Sequence, residues 1–389
     1  MRSVSIIGIG LTKFGEHWET GFRELIVEAA AKAVADAGIE GKEIQALYGG
    51  VMASGRLMGQ EHIGALLADQ LGMNPLASTR VEAACASGGV AVRSGYLAVA
   101  SGMYDVVAVG GGEKMTEVST EDVATALGGA GDQEWELFNG ATFPALYALM
   151  ARRHMREYGT TAEQMAAVAV KNHSNGALNP LAQYQREITV EDVMKSGYVA
   201  SPLKLLDCSP ITDGAASVIL CATEKLKEHA PKAEAVEIIA STQASDTLAL
   251  AQRASMSEVA STKVAVNEAY VRAGVGPKDI DVAEVHDCFT IAEIMAIEGL
   301  GFFPKGKGGK ASEDGETALN STISINTSGG LKAAGHPIGA TGIKQVSEIV
   351  LQLRGQAGKR QVNDAKVGLT QNVGGSGATS VIHILRRRK

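Results

Sequence analysis

Apolar runs and helical repeats take turns along the chain. VSIIGIG at 4–10 is a short apolar run, and FRELIVEAAAKAVADAG at 22–38 repeats its apolar residues at helical spacing. YDVVAVGG at 104–111 has the continuous apolar character of a strand covered on both faces. It follows a helix-like stretch, CASGGVAVRSGYLAVASG at 85–102. This rhythm predicts an α/β fold, a largely parallel sheet with helices on both faces.

The pattern also repeats. AVADAGIEGKEIQAL at 33–47 aligns with AYVRAGVGPKDIDVA at 269–283, more than half the chain away. Ala33, Ala37, Gly38, Lys42 and Ile44 meet identical residues at Ala269, Ala273, Gly274, Lys278 and Ile280. Each copy reads as helix, glycine stop, short turn and strand. Farther on, a Gly-rich turn opens a helix near Cys85 in the first half and near His336 in the second. Two similar halves are predicted: residues 1–118 with 201–235, and residues 236–389. Between them 119–200 breaks the rhythm. STEDVATALGGAGDQEWELFNGATF reads as loop, then two helix-like stretches follow with no apolar strand. Such an insertion at the strand ends of an α/β sheet is a candidate substrate cover.

Composition narrows the class. The 389 residues include 46 Gly but only 9 Pro, with 45% hydrophobic and 20% charged residues, which excludes collagen-like and Pro-rich disordered chains. The net charge of −7 argues against a nucleic-acid binder. No run approaches the ~18 apolar residues of a membrane span, and the N-terminus reads as a first strand, so the cytoplasm is the expected compartment. Four cysteines without a CxxC pair argue for reduced thiols and against a zinc site.

The glycines then point to chemistry. Cys85, in VEAACASGG, lies after an apolar run and before a helix, where the helix N-terminus would stabilise a thiolate. In AEVHDCFTIAEI, His286 and Cys288 follow a strand and share a face. His336 sits in GGLKAAGHPIGATG, behind Gly335, at a turn whose backbone can approach a ligand. The corner NVGGSG carries Gly374, whose N–H could face an oxyanion. One Cys and two His at such turns suggest acyl transfer through a thioester. His173, in KNH, is a candidate substrate contact, as is Gly335. Cys208 and Cys221 read as packing residues.

Together, ACASGG, GGGEKM at 110–115, CSPITDGAAS at 208–217, GGLKAAGHPIGATG at 329–342 and NVGGSG at 372–377 resemble the thiolase superfamily along nearly the whole chain. The resemblance implies two βαβαβαββ halves in five layers, α-β-α-β-α, with a loop-domain insertion in the first half. Common thiolases carry Asn-Glu-Ala-Phe where this chain has HDCF, and a C-terminal Cys-x-Gly where it has Asn372-Val373-Gly374. HDCF is similar to sterol-carrier-protein-type and archaeal acetoacetyl-CoA thiolases, in which the HDCF cysteine is the second catalytic one. The resemblance therefore implies that Cys288 replaces the missing cysteine, with Cys85, His286 and His336 also catalytic and the N–H groups of Cys85 and Gly374 forming the oxyanion site.

The implied reaction is reversible Claisen condensation of two acetyl-CoA to acetoacetyl-CoA and CoA, feeding the mevalonate route, with CoA thioesters as substrates and neither cofactor nor metal. The implied partners are further copies, as a dimer or dimer of dimers, and a complex with hydroxymethylglutaryl-CoA synthase and a zinc-ribbon/OB-fold protein. A degradative 3-oxoacyl-CoA thiolase of longer or branched chains is the nearest alternative. A decarboxylating ketosynthase would need no Cys288, and a hydroxymethylglutaryl-CoA synthase would need a Glu base absent from these motifs. A non-catalytic acyl-CoA-binding or scaffold protein is the alternative from another class.

Overall fold

The computed structural model describes residues 2–388. The first half of the chain forms strands β1 (Val4–Leu11), β2 (Ala46–Gly50), β3 (Ala77–Val81) and β4 (Val106–Glu113). A small hairpin, β5 (Tyr198–Ala200) and β6 (Leu203–Lys204), precedes β7 (Gly214–Ala222). The second half supplies β8 (Val236–Ser245), β9 (Val282–Glu284), β10 (Ser324–Ile325), β11 (Val367–Gly374) and β12 (Thr379–Arg387).

Ten of these strands make one sheet, in the order β10-β9-β11-β12-β8-β1-β7-β4-β2-β3. The order is the same read outward in both directions from the central β1–β8 pair. On each side the outer three strands are parallel and the inner two antiparallel. The two halves meet where Val4–Ile6 pairs antiparallel with Val236–Ile238.

The internal repeat is this symmetry at residue scale. Gly38 ends the helix Phe22–Ala37 at φ 65°, ψ 32°, and Gly274 ends Ala260–Ala273 at φ 66°, ψ 32°. A 3-10 turn and the second strand of its half, β2 or β9, follow each one. Helix Phe22–Ala37 covers β1 and β7 from outside, and Ala260–Ala273 covers β8 and β12.

Two further helices, Ser87–Ala100 and Ile338–Arg354, pack on each other and on strands of both half-sheets. They form the middle of five layers, which is why Ile338–Arg354 buries all but two of its residues. Its charged residues stay buried by pairing, Lys344 with Glu284 at 3.2 Å and Glu348 with Arg360 at 2.9 Å.

Between β4 and β7 the chain adds no strand to the large sheet. It forms helices Thr120–Gly128, Phe143–Tyr158, Ala162–Ala177 and Val190–Lys195. The first lies inside the stretch read as loop. Ser119 caps it by accepting the Asp122 N–H, an S-x-x-D signal that its glycines obscured. Helices Phe143–Tyr158 and Ala162–Ala177 rest on the second half, against Thr290–Gly299.

Candidate active site

β3 ends at Val81 and the chain turns through Ala84, whose φ of 52° is left-handed. Such strain costs ~1–3 kcal/mol and concentrates at functional turns. The Ser87 hydroxyl holds the turn, donating to the Ala84 carbonyl at 2.6 Å and accepting the Ala83 N–H at 3.0 Å. Cys85 is thereby fixed, half-buried, two residues before its helix. His336 stands two residues before Ile338–Arg354, the equivalent helix of the second half. Because the two helices pack together, their leading turns converge. Cys85 Sγ and one ring nitrogen each of His286 and His336 lie within 4.8 Å of one another. The two imidazoles meet edge to face, with ring centroids 5.1 Å apart.

The hydrogen bonds fix the ring protons. Thr341 donates its hydroxyl proton to the Pro337 carbonyl at 3.1 Å, so its oxygen accepts from His336 Nδ1 at 2.7 Å. His336 Nε2 is left with a lone pair, the form of a general base. Asn372 Oδ1 accepts the Gly89 N–H at 3.0 Å, so its amide group donates to the Cys85 carbonyl at 3.0 Å and to His286 Nδ1 at 3.2 Å. His286 therefore carries its proton on Nε2, which is buried and has no partner among the described residues. That N–H is a donor kept for a ligand, and it is no metal ligand in this tautomer.

Both rings are neutral at rest. Burial, then the Lys344 ammonium, holds His336 down to about 3. Burial, then His336 and Lys344, holds His286 well below its ordinary value. Lys344 itself bonds Glu284 at 3.2 Å and the Gly330 carbonyl at 3.0 Å.

The helix N-terminus was expected to stabilise the Cys85 thiolate, and here burial prevails. It pushes the thiol up to about 12, with the Glu113 carboxylate adding to it, against N–H groups of Gly375 and of Cys85 itself. A proton passing from sulfur to His336 Nε2 creates both charges side by side, so their attraction offsets part of the desolvation.

The amide that favours the resting thiolate is that of Gly375, next to Gly374, the expected oxyanion donor. Gly374 pairs with Thr379 at the end of β11, and a side chain there would collide with the Ala83 carbonyl oxygen. Its bareness lets the corner approach the nucleophile turn.

β9 ends at Glu284, and beyond it Asp287 fixes which way the turn faces. Its carboxylate accepts the Leu331 N–H at 2.6 Å, the Lys332 N–H at 3.1 Å and the Asn172 amide at 2.7 Å. Held on that side, Asp287 turns its neighbours toward Cys85. Cys288 is buried, and burial pushes its thiol well above the ordinary value, with Cys85 adding and a Tyr147 hydrogen bond opposing.

A cavity of about 240 Å³ opens on Cys85, Cys288, His336, Tyr147 and Gly375. Val123, Leu127 and Phe143 of the insertion form apolar wall, and Cys208 lies there too. His173 and Gly335 do not line it. His173 stacks on Tyr184 with centroids 5.8 Å apart and bonds the Arg186 carbonyl at 3.2 Å. Gly335 acts one step back, at φ 108°, ψ 162°, presenting the His336 N–H to Thr212 at 3.0 Å. Cys221 is buried in β7. Thr341, Asn372 and Tyr147 were not singled out in the sequence. Asn372 had a signal, since it stands where related chains carry cysteine, whereas Tyr147 was one aromatic on a helix read only as part of the insertion.

Comparison with known proteins gives the family. The family model "Thiolase, N-terminal domain" matches residues 4–224, and "Thiolase C-terminal domain-like" matches residues 242–387. The chain is 54% identical to the acetyl-CoA acetyltransferase of Methanothermobacter thermautotrophicus over 100% of both chains. It is 34% identical to sterol carrier protein 2 of Gallus gallus, over 98% of this chain and 71% of that one. Among solved structures, the Ltp2-ChsH2(DUF35) aldolase superposes with a TM-score of 0.85 at 27% identity, covering 99% of this chain and 98% of that one. Human mitochondrial 3-ketoacyl-CoA thiolase shares the fold, with a TM-score of 0.76 at 16% identity, covering 100% of this chain and 99% of that one. With a family model matched in each half and full-length relatives above 50% identity, the chain belongs to the thiolase family.

Proposed function

We propose that the protein is an acetyl-CoA C-acetyltransferase that condenses two acetyl-CoA reversibly to acetoacetyl-CoA and CoA. One observation carries the reading: two thiols and the His336 imidazole line one cavity, and a ring nitrogen of His286, of opposite tautomer, lies within 4.8 Å of the Cys85 sulfur. The 54% identity to a protein named acetyl-CoA acetyltransferase supports the acetyl group as the unit transferred.

Cys85 passes its proton to His336 Nε2 and attacks the first thioester. The tetrahedral oxyanion is held by backbone N–H groups of the Cys85 and Gly375 turns, where losing one donor typically costs ~10²–10³ in rate. The leaving CoA sulfur takes the Cys288 proton. The Cys288 thiolate then removes an α-proton from the second acetyl-CoA, and the His286 and His336 Nε2–H groups hold the enolate oxygen. The enolate attacks the acetyl group, and Cys85 leaves and recovers its proton from His336. Thiols and imidazoles carry every step, so no cofactor besides the CoA thioesters is needed.

The apolar walls favour one second reading, a 3-oxoacyl-CoA thiolase of longer chains. Thiolysis of acetoacetyl-CoA measured beside a long-chain 3-oxoacyl-CoA separates the two, and better long-chain turnover would overturn the acetyl assignment. Cys85→Ala should abolish thiolysis, and unchanged cleavage would sink the enzyme reading itself. The proposal extends to a dimer or dimer of dimers, and to an assembly with hydroxymethylglutaryl-CoA synthase and a zinc-ribbon/OB-fold protein. Both are tested by the mass of the purified complex, and a monomer without partners would contradict them.

A further inference from the structure

A buried phenol connects the two cysteines. Tyr147, on the insertion helix Phe143–Tyr158, is 2% exposed, and its ring lies 4.7 Å from that of Phe289, the residue after Cys288. Its hydroxyl donates to the Gly375 carbonyl at 3.1 Å, and Tyr147 and Cys288 line one cavity, where each shifts the titration of the other. Gly375 in turn points its N–H at the Cys85 sulfur. The hydroxyl has one proton and two acceptors whose demands change during the reaction. While Cys288 is a thiol, the phenol proton suits the carbonyl. Once Cys288 is a thiolate, the sulfur is the stronger acceptor, since hydrogen bonds to ionised groups are roughly twice as strong as neutral ones.

We infer that Tyr147 is a further catalytic residue, whose hydroxyl turns from the Gly375 carbonyl to the Cys288 sulfur and holds the thiolate between the two half-reactions. The inference rests on the proposed acid–base role of Cys288. The balance is simple. The Cys288 S–H bond breaks as its proton passes to the departing CoA sulfur. The phenol O–H stays intact and exchanges acceptors. When the thiolate removes the α-proton, a C–H bond breaks, the S–H bond reforms, and the phenol returns to Gly375. Burial keeps the phenol well above its ordinary pKa, so it donates without ionising. Among the other groups facing Cys288, charge on Cys85 or Asp287 disfavours the thiolate and His286 is neutral, whereas the Phe289 N–H and the His336 imidazolium of the acyl-enzyme favour it alongside the phenol.

Tyr147→Phe removes the hydroxyl alone. Alkylation of Cys288 by iodoacetamide, followed by peptide mass against pH in a Cys85→Ser background, should show its apparent pKa raised by roughly one to two units. With Cys85 intact, deuterium exchange into the acetyl-CoA methyl should fall roughly 10- to 100-fold, while acetylation of Cys85 still runs to completion. Unchanged alkylation and exchange would overturn the inference. Should Tyr147→Phe fail to acetylate Cys85, 3-fluorotyrosine at position 147 keeps the shape and sharpens the donor. It should then lower the Cys288 pKa, and an unmoved profile rejects the role. Cys288→Ala separates the two ideas: full exchange in that variant removes the acid–base reading of Cys288, whereas loss of exchange there with none in Tyr147→Phe removes only the phenol.

Discussion

His286 and His336 carry their ring protons on opposite nitrogens because Asn372 gives a proton to one Nδ1 and Thr341 takes one from the other. Reversing one assignment should therefore remove one function. Asn372→Asp keeps the side-chain shape but offers an acceptor where a donor stood. The His286 proton would move to Nδ1 and leave a lone pair facing the enolate oxygen. Deuterium exchange into acetyl-CoA should fall roughly 10²–10³-fold, with Cys85 acetylation affected less. Equal losses in both steps would count against the tautomer argument. At this scale the sequence pointed to residues that the fold brings together, because Cys85, His286, Cys288 and His336 sit beside glycines or strand ends. It was a poor guide to what tunes them. A helix start suggested a stabilised Cys85 thiolate, but burial pushes the thiol up to about 12, a property of the packed interior. Asn372, Thr341 and Tyr147 matter through partners, some more than 200 residues away.

The element that brings His336 into place is the turn leading into Ile338–Arg354. Gly335 there adopts φ 108°, ψ 162°, open essentially to glycine alone, and a Cβ would stand 2.7 Å from Thr212 Cγ2. Thr212 in turn accepts the His336 N–H. Gly335→Ala should thus cost about 1–3 kcal/mol of stability and also displace the imidazole. Urea unfolding and the Cys85 acetylation rate should both decline, and a variant with normal acetylation would show that Thr212 does not set the ring. Helix stops and the repeat were legible because they rest on local backbone rules, as the matching angles of Gly38 and Gly274 show. The helix Thr120–Gly128 was misread because three nearby glycines outweighed one capping pair. The anchor of the His286–Cys288 turn was not legible, since Asp287 orients it through bonds to Asn172, Leu331 and Lys332 from distant segments.

Over the whole molecule, the two-fold order of the sheet places Cys85 and His336 on equivalent turns, and the two central helices carry both into the interior. Burying the site between layers has a consequence for stability. His336 is held down to about 3, His173 and His383 to about 4, and His286 well below its ordinary value, all chiefly by burial. A histidine near its ordinary value of about 6.5 binds a proton in the unfolded chain that the folded chain refuses, so its contribution is intact above that pH and lost as pH falls toward the folded value. Glu113 and Asp287, raised to about 7 by burial, and Asp207, also raised, act in the opposite sense, because the folded chain keeps their protons at pH values where the unfolded chain has lost them. Four histidines oppose three carboxyls, so the melting temperature should hold near neutrality and fall between about pH 6.5 and 4. His383 tests the balance away from the chemistry: it lies in β12 with Nε2 3.1 Å from the Gly89 carbonyl. His383→Gln retains an N–H donor and cannot titrate, so its melting temperature should decline less steeply on acidification than that of the parent. Parallel curves for the two proteins would show that buried histidines do not govern the acid limb.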